Sequence, residues 1–448
     1  MTARPPHAPS ARADTPAPSP WGHVVRGAAA LAAGMGVGRF VYTPILPLMH
    51  AQAGLSAGAG ANLATANYVG YLAGALAGTL APALVRSSAL LRVCLLVLTA
   101  SLALMPGTHS TAVWIVLRLL AGAASALIFV IAVSSLLSHL REHPAHLPGW
   151  AFGGVGAGIA LSGLLVLALR SAADWRAAWW ASAALAALLA AAAWHLRPEA
   201  SGTAGPHSGS AAAGARAPRT HRWFTALFVS YTLEGVGYIV AGTFLVAAIE
   251  QGSPGRLGSG AWVLVGLAAV PSSALWAWLG RRRSRPDLLL AALVIQAAGI
   301  ALPALVGGVA AALLSAALFG ATFIGVSTLA LATGAHLRFK RSVALLTAGY
   351  SVGQILGPLA VAPLLGHGYH QALALAAAVV LAAAAAAAVL RVGFPHHMAA
   401  PRHTTPLRRT ATVPGPVPPG PTPPAAAHPA PADPGPADSD PAPDGRGA

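Results

Sequence analysis

The chain has 448 residues, 56% of them hydrophobic and only 8% charged, with a mean hydropathy of +0.66. Soluble globular chains carry charge on about a quarter of their residues, so this composition excludes a conventional soluble protein. The net charge of +16 would point to nucleic acid in a soluble chain; here the placement of the charges decides what it means.

Apolar runs of about 20 residues, the length a helix needs to cross about 30 Å of hydrocarbon, recur almost to the end of the chain. They are continuous and do not alternate in ten-residue units, which excludes a β-barrel. Residues 1–21 are rich in Pro, Ala and Ser, lack the layout of a cleaved signal peptide, and read as a disordered cytoplasmic N-terminus. Six spans follow at 24–49, 61–85, 90–105, 112–140, 147–169 and 177–196, giving an N-terminal six-helix bundle over 22–197. A loop at 198–222, rich in Gly, Ser, Ala and Arg, links it to a second bundle over 223–393. The spans there are 223–249, 260–279, 288–306, 309–335, 343–365 and 372–392. Residues 394–448 are Pro/Ala-rich and read as a disordered cytoplasmic tail. The expected class is an all-α polytopic membrane protein with twelve transmembrane helices.

Lysine and arginine set the orientation. With both termini inside, only Arg170, Arg176 and Arg256 of the 27 basic residues fall outside, and Arg39 and Arg118 lie within the membrane. The basic balance is therefore an inside-positive signal for a bacterial inner membrane, and nucleic acid is not a partner. The one cysteine, Cys94, lies in an apolar span and has no intrachain disulfide partner.

The halves resemble each other. GVGRFVYTPIL from Gly36 sits over GVGYIVAGTFL from Gly235, LAGAA from Leu120 over LFGAT from Leu318, and Gly158 over Gly353, all at nearly one offset. Two parallel six-helix pseudo-repeats are a transporter architecture with the substrate site between the halves near the midplane. Glycines four apart, at Gly70/Gly74/Gly78, Gly149/Gly153, Gly154/Gly158 and Gly349/Gly353/Gly357, predict grooves for close helix approach.

Three charges inside predicted spans carry the functional expectation. At 1.5 Å per residue, Arg39 lies about 22 Å from its cytoplasmic end, Arg118 about 9 Å from its outer end, and Glu234 about 16 Å in. Intramembrane charges are costly and face bundle interiors or polar cavities. A shared cavity is predicted, with an ion pair locking two helices as the structural alternative. Polar residues at helical spacing extend it. The candidate substrate-binding set is Arg39, Tyr42, Thr43, Asn67, Tyr71, Arg118, Tyr231, Tyr238, Thr322 and Gln354, with Tyr68, Ser125, Gln296 and Tyr350 as further candidates. Glu234 is the candidate proton-coupling group. Two prolines, Pro44 and Pro47, are expected to bend the outer end of the first helix. His139, His143 and His146 beside Glu142 read as a solvated loop and not a metal site. No phosphate loop and no nucleophile–base spacing appears, so neither a cofactor nor an enzymatic reaction is expected.

RLLAGAASA from Arg118 resembles the R-x-x-x-G motif on helix four of the major facilitator superfamily. The loop GTLAPALVRSSALLR resembles that superfamily's basic loop motif, with Pro82 where the motif carries an aspartate. GRFVYTPILPLM, ANYVGYLAGAL, GVGAGIALSGLL, LEGVGYIVAGTFL, LFGATFIGVSTL and GYSVGQILGPL together resemble the YbfB/YjiJ family of that superfamily, over about 34–365. The resemblance implies that helices one, four, seven and ten line a central cavity, and that the halves rock about it in alternating access. The function expected is secondary transport of a small organic solute by a monomer, proton-coupled and in the efflux direction. A non-transporting membrane sensor or scaffold with the same fold is the alternative.

Overall fold

The computed structural model describes residues 20–140, 143, 146–170, 174–198, 220–253, 255–337, 339 and 341–395. Most of the expected N-terminal tail, central loop and C-terminal tail lies outside these residues. Among them the chain is helical, without strands. The long helices are α1 (Trp21–Ala53, interrupted), α2 (Ala57–Leu80), α3 (Ser88–Leu104), α4 (Thr111–His139), α5 (His146–Leu169) and α6 (Trp175–Ala193). They continue with α7 (His221–Gly252), α8 (Leu257–Leu279), α9 (Arg285–Leu305), α10 (Val309–His336), α11 (Ser342–Val361) and α12 (Tyr369–Arg391). Eleven of these helical segments are long and apolar enough to cross a membrane. The exception is α2, whose length suffices but whose Thr65, Asn67, Tyr68 and Tyr71 dilute its hydropathy.

Three boundaries shift from the sequence expectation. Trp21 already opens α1, and His221 and Arg222 open α7 where a linker was expected. At the other end Phe394 is buried against His336, with ring centroids 5.7 Å apart, because an aromatic ring next to an apolar helix end gains by packing there.

The two halves share one packing scheme. In the first, α1 packs on α5 and α6, α2 on α4, and α3 on α4 and α6; in the second, α7 packs on α11 and α12, α8 on α10, and α9 on α10 and α12. Between halves, α5 meets α8, α2 meets α11, and the second part of α1 meets α7. The expected glycine grooves are real contacts. A Cβ on Gly70 would stand 2.0 Å from the Leu119 carbonyl oxygen, and one on Gly122 would stand 1.9 Å from that of Asn67. The α2–α4 contact is therefore backbone on backbone. Helix α5 uses both of its glycine rows, Gly154 and Gly158 against α1 and Gly149 and Gly153 against α8. It is one of three helices through which the first half meets the second.

Candidate functional site

Helix α1 breaks where the sequence places its arginine. The α-helical segment Trp21–Leu31 ends, Ala32–Val37 follows as a π-helix, residues 38–41 form a turn, and the helix resumes at Tyr42. The break lies upstream of both prolines, and not at the outer end where they were expected to act. Pro44 has no N–H to offer the Phe40 carbonyl; that carbonyl takes the Thr43 N–H instead, at 3.2 Å. The Arg39 carbonyl, which would have received that N–H in an unbroken ladder, is left open.

Arg118 fills the opening. Its Nη1 donates to the Gly38 carbonyl and its Nη2 to the Arg39 carbonyl, each at 3.2 Å, and the guanidinium lies 5.0 Å from the Tyr42 ring centroid. Asn67 Nδ2 donates to the carbonyl of Arg118 at 2.9 Å, tying α2 to the same point. In hydrocarbon each unsatisfied carbonyl costs several kcal/mol, so this arginine closes the hydrogen-bond account of a broken helix.

Arg39 points the other way, into the interface between halves. It donates through Nη2 to Gln354 Oε1 on α11, and its guanidinium lies 4.3 Å from the Tyr71 ring centroid and 5.0 Å from that of Tyr68. Its Nε has no partner and is fully enclosed. From the neighbouring Phe40 an aromatic series runs through the second half. Phe40 meets Phe323 (6.2 Å), Phe323 meets Tyr238 (5.9 Å), Tyr238 meets Tyr350 (5.6 Å) and Tyr350 stacks on Tyr231 (4.4 Å). Sequence reasoning named the tyrosines but passed over Phe40, Phe319 and Phe323, which read as ordinary core residues.

Glu234 occupies its own nest on α7. It is fully buried, and its one hydrogen bond is from Gln296 Nε2 on α9 to Oε1, at 3.4 Å. Its Oε2, the Gln296 Oε1 and the hydroxyls of Thr232 and Ser351 are enclosed without partners. No ion pair joins Glu234 to Arg39 or Arg118. The three charges are thus at three different tasks, and the expected common cluster does not form as direct contacts.

The remaining candidates divide. Thr43 donates to the Gly242 carbonyl, and Tyr68 and Thr243 hydroxyls lie 2.8 Å apart, so both bridge α7 to the first half. Thr322 and Ser125 bond back to their own helices, to Leu318 at 2.7 Å and Ala121 at 2.7 Å. Tyr42 donates to the Gly60 carbonyl at 2.9 Å.

Beyond these contacts, at the end away from residues 20 and 395, the halves are clasped. Arg170 at the end of α5 makes a two-pronged ion pair with Glu250 in the last turn of α7, Nη2 to Oε2 at 2.8 Å, and Nη1 to Oε1. The Tyr369 hydroxyl and His50 Nε2 lie 2.6 Å apart across the halves, and within the first half the Trp175 N–H donates to Gln52 Oε1 at 2.7 Å. Every residue of α7 from Gly237 to Ile249 is buried, whereas Thr225 and Val229 near its start are exposed. Arg170 and Glu250 escaped sequence reasoning because a charge at the end of a span reads as solvated. No group of three metal-ligating side chains occurs among the described residues.

Residues 31–391 match the family model described as "Uncharacterised MFS-type transporter YbfB". Among solved structures, the nucleoside transporter NupG is similar in two forms. An aspartate-to-alanine variant gives a TM-score of 0.63 at 12% identity, covering 83% of this chain and 99% of that one. A second NupG structure gives 0.61 at 14% identity, covering 82% and 98%. At such identity the likeness is one of fold. No curated protein matches the chain at a significant level.

Proposed function

The chain belongs to the family described as the uncharacterised MFS-type transporter YbfB, and from the premise that it is a multi-pass membrane transporter we propose that it moves a small organic solute by proton-coupled alternating access. The proposed body is a monomer of twelve membrane helices in two six-helix repeats, 22–197 and 223–393. The parallel packing schemes of the two halves and the shared offset of their motifs support that reading. The basic helix ends, with Arg281, Arg282, Arg283 and Arg285 between α8 and α9, support an inside position for both termini in a bacterial inner membrane. The clasp at Arg170–Glu250 then lies on the outer side, and the described state is the one closed outward.

The observation that carries the mechanism is Glu234, fully buried beside an amide and without a cation. An ionised carboxylate there is uncompensated in a low-dielectric surround, so arrival or departure of a proton has a large effect on which arrangement of the halves is stable. Arg39, in the other half, is held by Gln354 and two tyrosine faces. A solute carrying an acceptor or anionic group would take the place of Gln354 on Arg39 and rest its body on Tyr238 and Tyr350. Candidate contacts are Arg39, Tyr71, Tyr231, Tyr238 and Gln354, with Thr43 and Thr322 at the margin. Asn67, Tyr42 and Arg118 hold the broken helix and act on the solute through it. Efflux is the proposed direction, on family resemblance.

The test is purified protein in liposomes with an imposed pH gradient and a panel of solutes that includes carboxylates and nucleosides. Gradient-driven flux of a panel member by the wild type, lost in Glu234→Gln, is the expected result. Flux in the Glu234→Gln protein that still follows the pH gradient would remove the carboxylate from the mechanism.

A further inference from the structure

The two halves each carry a cavity at the end where the chain's described termini lie, and the pair differ in charge. In the second half a cavity of about 420 Å³ is lined by Ser284, Pro286, Asp287 and Arg391, among others. There Arg391 is paired with Asp287, whose N–H is capped by Ser284 at 3.3 Å. In the first half a cavity of about 430 Å³ is lined by Arg26, Ser88, Arg92, His195, Arg197 and Pro198, among others. Ser87 caps the matching helix start, accepting from the Leu90 N–H at 3.1 Å. Leucine thus stands at the cap-plus-three position where the other half has an aspartate. Among the described residues none of Arg26, Arg92 and Arg197 has an ion-pair partner.

Three guanidiniums around one cavity repel each other unless an anion occupies it. The cavity is built to keep them there. Arg92 is half-buried, its Nε donating to the Trp194 carbonyl at 3.3 Å and its guanidinium 5.5 Å from the Trp194 ring centroid. The carbonyl of Arg197 accepts from Ser135, which also contacts His23 at 3.0 Å. The position is that of helix ends, where lipid headgroups lie. Beside Arg26, Val25 is exposed at 60%, and one residue and one turn beyond Arg92, Val93 and Leu96 are exposed at 52% and 57%, an apolar surface for acyl chains.

We propose that this cavity binds the phosphate of an anionic phospholipid, with the acyl chains along α1 and α3. Basic pockets between membrane helices recognise such headgroups. The site lies apart from the proposed transport path.

The experiment uses the full chain in nanodiscs of mixed phosphatidylglycerol and phosphatidylcholine, followed by detergent extraction and native mass spectrometry. Wild-type protein is expected to retain phosphatidylglycerol over phosphatidylcholine. The triple variant Arg26→Gln/Arg92→Gln/Arg197→Gln should lower that retention at least about tenfold, while Arg391→Gln in the other cavity leaves it unchanged. Because Arg92 also holds α6, the double variant Arg26→Gln/Arg197→Gln, confined to exposed side chains, checks that any loss is not misfolding. Equal retention of the two lipids, or no change in either multiple variant, would overturn the proposal. So would saturable binding of inorganic phosphate to lipid-free wild type without lipid preference, which would make it a free-anion site.

Discussion

Helices α1 and α7 hold matching places in the two halves and are built on opposite plans. Helix α7 runs unbroken for 32 residues, and its polar group is a carboxyl with one weak amide donor. Helix α1 is interrupted at its middle, and its polar group is an arginine whose own carbonyl is held by a second arginine. One helix is a continuous rod carrying an uncompensated acid; the other is broken, and its open backbone is closed from outside. The π-turn is a known place for functional bending, and here it lies one turn from the residue facing the second half. Two halves with one packing scheme thus carry an acid on one side and an arginine on the other. The difference is both in the backbone and in the chemistry of the buried group.

The largest effect should come from the acid. With Glu234→Gln the proton-carrying group is gone while shape and the Gln296 contact survive. Gradient-driven flux is expected to fall to the level seen without a gradient, whereas exchange of solute at equal pH continues. Arg39→Lys should reverse the pattern, keeping proton sensitivity but losing solute affinity, because a point charge cannot reproduce a planar fork stacked between rings. Loss of coupling in both variants to the same degree would dissolve the division of labour.

Next is the clasp of the break. Arg118→Leu leaves the Gly38 and Arg39 carbonyls without donors, a cost of about 1–3 kcal/mol for each, and should lower the unfolding temperature in detergent clearly. Gln296→Leu removes a single 3.4 Å bond to Glu234 and should lower it much less. Equal losses would mean that α1 does not depend on Arg118 as its geometry indicates.

The sequence makes some of this visible and hides the rest for physical reasons. Helix positions follow from apolar run length, and Arg39 and Glu234 stand out because charge is rare in such runs. Their partners do not stand out. Gln354 is 315 residues from Arg39, and an amide in an apolar helix carries no sign of which helix it will face. Arg118 reads as a second binding charge, since nothing in its neighbourhood tells that α1 has open carbonyls. Pro44 was a trace of it, read as a bend at the wrong turn. Gly320 on α10 and Gly266 on α8 lack the four-residue repeat and give no spacing signal, although a Cβ on Gly320 would stand 2.3 Å from the Val265 carbonyl oxygen of α8 and one on Gly266 2.2 Å from the Ala160 nitrogen of α5.

Glycines give a finer version of the same comparison. A Cβ on Gly36 in the π-turn would meet Gly158 Cα at 2.5 Å, whereas one on Gly242 in α7 finds its nearest atom, Phe40 Cε1, at 3.8 Å. Gly36→Ala should therefore cost about 1–3 kcal/mol by overpacking, and Gly242→Ala should be neutral or slightly stabilising through helix propensity. Thermal melts of the two proteins in one detergent measure the contrast.

The smallest effect concerns the clasp at Arg170 and Glu250, whose side chains are 20% and 8% exposed. Glu250→Gln keeps one acceptor for Arg170 and removes the charge, weakening the closed arrangement without adding a contact to any open one. A cysteine placed at Thr43, beneath the clasp, is then expected to react faster with a membrane-impermeant thiol reagent added outside, by a few-fold, in a Cys94→Ser background. Labelling at the rate seen with Glu250 intact would mean that the α2–α7 contact through Tyr68 and Thr243 holds that end shut without the ion pair. Closure of that end would then be assigned to α2 and α7, and not to the ion pair above them.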